Sequence, residues 1–266
     1  MLGKRSFFRR IVGNREAYRL LMNSLAVGEA MSAVDLDRIA EHIPDPALAR
    51  KVYRHFAEER RHARLFRRRL EDLGFEVTPL PPELEYETYA SEFGMGTPHA
   101  RLDDPEPFST AELIEFFSGS MAGEERACAE MEGLIASMVD DPVTVKLLET
   151  IHADEVRHVS YATEEMNRLA REGHRDQVLQ ALRHSRRSEA RAHRLVSLAF
   201  MDRLMRLLGA PWIVRAFGAL SVHIAFAVRY LFPGGLGAPR IANAMPVPAG
   251  APGASAPDAV LSSESR

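Results

Sequence analysis

Apolar residues recur at steps of three and four along most of the chain, which is the period of an amphipathic helix. In the first such stretch, the apolar positions run from Tyr18 to Ala40. This pattern predicts six long helices, over 15–42, 46–73, 110–139, 142–172, 176–208 and 212–232. Capping residues support the starts of four of them: Asn14, Asp45 with Pro46, Ser109 with Glu112, and Asp141 with Pro142. The pattern therefore predicts an all-α fold.

Two of the predicted helices carry the same short motif. Residues 57–62 read Ala-Glu-Glu-Arg-Arg-His, and residues 153–158 read Ala-Asp-Glu-Val-Arg-His. In each copy the second acid lies 14 residues after the Asp of an Asp-Pro pair. A Glu and a His three positions apart share one face of a helix. A duplicated Glu-x-x-His pair indicates an internal repeat and a carboxylate-bridged di-metal site in a helix bundle.

The helix before each motif supplies one further carboxylate. Glu29 lies in the apolar stripe of the first helix, and Glu124 lies in that of the third. A buried carboxylate without a partner is unfavourable, so each should be paired or bound to a metal. Glu125 is the alternative in the third helix, since an ungapped overlay of the two halves aligns it with Glu29. We favour Glu124 because the stripe through Glu125 is more polar.

Four carboxylates and two imidazoles that converge in a core require neutralisation, which two divalent cations would provide. Carboxylate and imidazole ligands suit iron or manganese, whereas zinc sites usually contain fewer carboxylates. The predicted ligands are Glu29 and His62 on one metal, Glu124 and His158 on the other, and Glu59 and Glu155 as bridges. A polar network without metal is the alternative account of the doubled motif.

A metal-bound histidine needs an acceptor for its free ring N–H. Glu58 and Asp154 directly precede the two bridging residues. We predict that each of these acids holds the histidine of the opposite helix pair. The simpler interpretation, solvated acids beside arginines, stays open. Cys128 lies one turn beyond Glu124, and we expect it to be a small apolar wall residue of the site.

With these motifs, residues 15–172 resemble the ferritin-like di-iron carboxylate superfamily, and Gly28-Glu29 and Gly123-Glu124 are rubrerythrin-like. The resemblance implies a four-helix bundle with one long crossover, containing two Fe ions, or Mn, that react with O₂ or peroxide. It does not select a substrate, because the superfamily includes ferroxidases, peroxide-reducing rubrerythrins and oxygen-activating hydroxylases, N-oxygenases and desaturases. Rubrerythrins normally carry a rubredoxin-type cysteine cluster. Here Cys128 is the single cysteine, so an external electron donor is expected.

The remaining segments complete the predicted organisation. Residues 75–108, rich in Pro, Glu and aromatics, would be the crossover between the second and third helices. The predicted divisions are a basic arm over 1–14, the bundle over 15–172, a helical extension over 173–232 and a disordered tail over 233–266. This plan, with its apolar last helix, is similar in outline to demethoxyubiquinone hydroxylase.

The predicted helix over 212–232 is the most apolar stretch of the chain, and Arg215 and Arg229 bracket it. It is too short and too interrupted to predict a membrane span. Packing against the bundle or against a homodimer partner is the interpretation we favour. Peripheral contact with a membrane interface is the alternative.

Composition narrows the class of protein. Hydrophobic residues make up 46% of the chain and charged residues 27%, which is typical of a soluble globular protein. The formal net charge of −3 argues against a nucleic-acid partner. The basic N-terminus lacks a continuous apolar signal core. We therefore expect a cytoplasmic protein, with association at the inner membrane surface as an alternative.

These features favour a di-iron oxidase or oxygenase that uses O₂ to oxidise a small apolar or lipid-like substrate. A ferroxidase or peroxide-scavenging protein is the second hypothesis, with Fe(II) or peroxide itself as the substrate. The third is a non-catalytic helical scaffold that a metal only stabilises.

Overall fold

The structure, a computed structural model, describes residues 2–231 and contains no strand among them. Its α-helices are α1 (Leu2–Val12), α2 (Arg15–Ser32), α3 (Leu36–Glu41), α4 (Pro46–Asp72), α5 (Tyr86–Glu92), α6 (His99–Leu102), α7 (Thr110–Ser137), α8 (Pro142–Leu169), α9 (Arg175–Leu207) and α10 (Trp212–Leu231). The prediction of an all-α protein is confirmed. The predicted disordered tail over 233–266 lies outside the described residues.

The long helices begin at the predicted capping residues. The N-cap side chains that accept a backbone N–H are Asn14, Asp45, Ser109 and Asp141. Ser109 and Glu112 form a complete capping box, and Pro46 and Pro142 occupy the start of α4 and α8. These caps satisfy backbone groups that have no partner within the helix.

The first predicted helix, 15–42, is two helices, which corrects the prediction of a single one. The chain breaks at Asp35, whose backbone has a left-handed φ of 65°. A short polar side chain tolerates this conformation better than most residues. The Asp35 carboxylate is paired with Arg38 and His99. The apolar stripe continues across the break, because Ala33 and Leu36 are both buried.

The segment that connects α4 to α7 contains α5, α6 and a short 3₁₀ turn at Pro82–Leu84. The Asn23 side chain fixes its start, since it both donates to and accepts from the backbone of Thr78. The backbone N–H of Phe108 fixes its end by donating to the His42 carbonyl at 2.7 Å. In between, α5 packs on α9 and α2.

The helices that carry the predicted ligands pack in two pairs, α2 with α4 and α7 with α8, and α4 also contacts α8. Two apolar clusters form the core. The first contains residues of α3, the early turns of α4 and α7, and the late turns of α8. The second contains residues of α2, the late turns of α4 and α7, and the early turns of α8. The motif residues of each helix lie between these clusters.

α9 packs on α7, and α10 packs on α9. The two helices approach closely at Gly218, where a Cβ would lie 2.9 Å from the end of the flexible Met205 side chain. Arg215 adds an ion pair to Asp202 of α9. The outer face of α10 stays exposed and apolar, with Trp212 75% and Phe217 66% exposed. None of the described helices has the length and hydropathy needed to cross a membrane.

Candidate metal centre

Four helices direct acidic and imidazole side chains into one buried cluster. α2 contributes one carboxylate and α7 another, while α4 and α8 each contribute the Glu and His of a repeated motif. The cluster contains every residue that the sequence predicts as a metal ligand: Glu29, Glu59, His62, Glu124, Glu155 and His158. The two Glu-x-x-His pairs are buried. The spacing of three residues therefore places both side chains of each pair on the inward face.

One set of four side chains, the first ligand group, could hold a metal ion: Glu29, Glu59, His62 and Glu155. His62 Nδ1 lies 3.2 Å from Glu29 Oε2 and 3.1 Å from Glu155 Oε1. It lies 3.6 Å from Glu59 Oε1. The first ligand group thus offers one imidazole nitrogen and three carboxylates.

A second ligand group consists of His55, Glu59, Glu124 and His158. His158 Nδ1 lies 3.4 Å from Glu59 Oε1 and 3.9 Å from Glu124 Oε2. His55 Nε2 lies 3.2 Å from Glu124 Oε1 and 3.4 Å from Glu59 Oε1. His55 is not among the ligands predicted from the sequence. Its position four residues before Glu59, on the same helix face, is the signal that could have found it.

Two carboxylates lie between the histidines of the repeated motifs. Glu59 Oε1 is within 3.6 Å of both His62 Nδ1 and His158 Nδ1. Glu155 faces His62 with Oε1, at 3.1 Å, and His158 with Oε2, at 3.4 Å. A carboxylate whose oxygens face two different positions has the arrangement that a bridging ligand requires.

Each motif histidine contacts an acid of the opposite helix pair through its outer nitrogen. His62 Nε2 lies 3.0 Å from Asp154 Oδ2, and His158 Nε2 lies 3.0 Å from Glu58 Oε2. These are the pairs that the sequence analysis proposed. In both histidines the other nitrogen, Nδ1, faces the cluster.

The same acids are also paired with arginines. Asp154 contacts Arg61 and Arg157, and Glu58 contacts Arg157 and Arg54. Partial burial acts to raise the pKa of Glu58, but hydrogen bonds from His158, Arg157 and Arg54 lower it to about 2. Glu58 therefore stays ionised and can accept the imidazole N–H at neutral pH.

Glu125, the alternative to Glu124 on α7, lies outside both ligand groups. Glu125 accepts hydrogen bonds from Arg186 of α9 at 2.7 and 2.9 Å, while Glu124 belongs to the second ligand group. Cys128 is half-buried. Burial and the nearby carboxylates of Glu155 and Glu124 raise the pKa of its thiol to about 12. The thiol is therefore protonated at neutral pH.

Without metal, the cluster holds protons. Burial raises the pKa of Glu29 to about 8. Burial alone would lower the pKa of the imidazoles, but the neighbouring carboxylates raise it to about 11 for His62 and about 9 for His158. Metal ions would have to displace these protons, because a metal ligand must be deprotonated.

Four buried atoms of the cluster have no hydrogen-bond partner among the described residues: His55 Nε2, Glu59 Oε1, Glu155 Oε1 and His158 Nδ1. An unsatisfied buried polar atom typically costs about 1–3 kcal/mol. Metal coordination would satisfy all four atoms at once. The carboxylate-rich set fits iron or manganese better than zinc.

Comparisons with known protein families, with curated proteins and with solved structures find no match for this chain. The residues and their geometry show a helical protein with a buried cluster of carboxylates and histidines that is compatible with a di-iron site.

Proposed function

We propose that the protein is a di-iron oxidase or oxygenase. Two Fe ions, with Mn as the alternative, would bind the cluster and activate O₂ to oxidise a small apolar or lipid-like substrate. The observation that carries this proposal is the set of four buried ligand atoms that have no hydrogen-bond partner among the described residues and lie within one cluster of carboxylates and imidazoles. Two divalent ions would balance the charge of four carboxylates in a site that is otherwise difficult to bury.

We infer further that α2, α4, α7 and α8 form a ferritin-like four-helix bundle around the ions. The pairing of α2 with α4 and of α7 with α8 supports this inference. So does the long connection from α4 to α7, which would serve as the single crossover of such a bundle. α9 and α10 would then be additional C-terminal helices.

The bound ions would supply the oxidising chemistry, because iron reacts with O₂ and amino-acid side chains do not. The residues of the chain would orient the ligands and shield the site from water. Glu58 and Asp154 hold the outer nitrogens of His158 and His62, which fixes the tautomer that leaves Nδ1 free to bind. The apolar clusters on either side limit the access of water. Since Cys128 is the single cysteine, we propose an external electron donor.

The exposed face of α10 supports a lipid-like substrate and peripheral contact with a membrane. A basic residue of α1 lies near the start of this helix, because the Arg10 side chain donates to the carbonyl of Leu208, four residues before Trp212. Apolar and basic surface together suit an anionic membrane interface. A homodimer that covers this face is the alternative.

The proposed reaction can be tested by adding two equivalents of Fe(II) to the protein without oxygen and then admitting air. We expect the near-ultraviolet absorption of a diferric site. With a reductase and apolar substrates present, we expect O₂ uptake that depends on substrate. E124Q should abolish both responses. E125Q alters the neighbouring carboxylate, which is bonded to Arg186, and should preserve them.

Other outcomes separate the competing functions. Rapid Fe(II) oxidation that continues well beyond two ions per chain would favour a ferroxidase. Bound iron that remains ferrous in air would indicate that the cluster is only a structural metal site. Oxidation of the iron without substrate-dependent O₂ uptake for any apolar substrate class would contradict the proposed substrate.

A further inference from the structure

The internal repeat permits a comparison of the two halves of the cluster. A shift of 96 residues relates Glu59 to Glu155 and His62 to His158. The same shift relates His55 to Ile151. Ile151 is fully buried and belongs to the second apolar cluster. The repeat therefore fails at this position, where α4 has an imidazole and α8 has a hydrocarbon.

His55 is built into the cluster. Its side chain is 2% exposed, and its ring stacks on that of His158 with 3.7 Å between centroids. Nε2 faces Glu124 and Glu59 at 3.2 and 3.4 Å and is one of the atoms without a hydrogen-bond partner among the described residues. A buried ring nitrogen aimed at two carboxylates is placed as a metal ligand would be.

The outer nitrogen of His55 also has a dedicated partner. Nδ1 lies 2.8 Å from the hydroxyl of Tyr161, which comes from α8, three residues after His158. If the Tyr161 oxygen accepts the Nδ1 proton, Nε2 is left with a lone pair that faces the cluster. Tyr161 thus holds the outer nitrogen of His55, as Glu58 holds the outer nitrogen of His158.

Tyr161 departs from the repeat in the same way as His55. The shift of 96 residues relates Tyr161 to Leu65, an apolar residue packed against the second apolar cluster. Both partners of the His55–Tyr161 hydrogen bond are therefore specific to the second ligand group. The repeat therefore fails at two residues that are hydrogen-bonded to each other, a histidine and the acceptor for its outer nitrogen.

We propose that His55 is a seventh ligand, which binds through Nε2 and makes the two metal positions unequal. The first position would have one imidazole, from His62, and the second would have two, from His55 and His158. This inference rests on the proposed two-metal site. Imidazole favours the later divalent transition metals, so the second position should bind Co(II) more tightly than the first.

The test is an anaerobic Co(II) titration of the full chain, followed by calorimetry and visible absorption. Wild type should bind two ions with different affinities. H55I gives α4 the residue that α8 has at the related position. It should weaken one binding event at least tenfold, about the lower end of what loss of a supporting group costs in metal sites, and leave the other event unchanged. Y161F should weaken the same event to a smaller extent.

H152Q is the matched control, since His152 lies outside both ligand groups, and it should bind as wild type does. Two ions bound with unchanged affinity by H55I would overturn the His55 inference while leaving the two-metal site in place. Failure of wild type to bind two ions would overturn the site itself and the inference with it. Mössbauer spectra of Fe(II)-loaded wild type need no variant. Two doublets of equal area are expected, and a single doublet would contradict unequal positions.

Discussion

Two aspartates show how far residues with the same local role can differ. Asp45 and Asp141 both cap a helix that starts with proline. Asp45 is exposed. Asp141 is buried, accepts from Arg69 at 2.8 Å and contacts the Tyr18 hydroxyl. The second copy of the cap therefore also ties α8 to α4 and α2.

We expect D141N to cost about 2 kcal/mol of unfolding free energy, the range for hydrogen bonds to charged groups, and D45N to cost under about 0.5 kcal/mol, since Asn caps as well as Asp. Burial acts to raise the pKa of Asp141, but hydrogen bonds from Tyr18 and Thr144 among others lower it from 3.8 to about 2. A lowered pKa stabilises the fold above the unfolded-state value, and this contribution is lost as pH falls. The difference between wild type and D141N should therefore shrink between pH 4 and 2.

Urea denaturation of both variants at neutral and acid pH is the measurement. Equal costs for D141N and D45N at neutral pH would show that the contacts of Asp141 with α2 and α4 contribute no stability. A D141N difference that persists at pH 2 would show that the ionised form of the carboxylate is not the source of that stability.

Among the helices, α10 has one face packed on α9 and one face that is exposed and apolar. Arg215 and Gly218 fix one face on α9. The opposite face exposes a stripe that includes Phe217, Leu220 and Ile224. Exposed apolar surface of this extent usually marks an interaction site.

We expect wild type to float with anionic phospholipid vesicles and the double variant F217S/I224S to float much less, because two large apolar groups leave the stripe. A225S changes an exposed residue outside the stripe and should behave as wild type. Light scattering on the same samples gives the oligomeric state. If wild type is a dimer and F217S/I224S is a monomer, the exposed face binds a second copy of the chain instead. A wild-type monomer that does not bind vesicles would contradict both interpretations.

The elements also show what the sequence could and could not predict. Apolar period and caps predicted the long helices, because both signals are local. They missed the break at Asp35, since the apolar stripe continues through it. They missed α5 and α6, which are too short to show a period.

The candidate site, like the fold, was predicted in part from the sequence. Four of its six proposed ligands follow a duplicated spacing, and the apolar stripes of the preceding helices indicated Glu29 and Glu124. The structure brings all six together. His55 lies outside that duplication, because its related residue is Ile151. Its position four residues before Glu59 places it on the ligand face of α4, and its contacts with Glu124 and Tyr161 distinguish it from an ordinary core histidine.

At the scale of the whole molecule, the cluster divides the core into two apolar parts. Four carboxylates and three imidazoles occupy the layer between them. Such a layer is unfavourable to bury without counter-ions, and four of its ligand atoms have no hydrogen-bond partner among the described residues. We therefore propose that this layer is a site for two metal ions.

An anaerobic Fe(II) titration, with the bound ions counted after removal of free metal, measures how many ions this layer holds. We predict two ions per chain for wild type and fewer than one for E59Q/E155Q, because both bridging carboxylates are lost. E125Q should retain two. A wild-type chain that binds no iron, or that binds the same amount as E59Q/E155Q, would contradict the account.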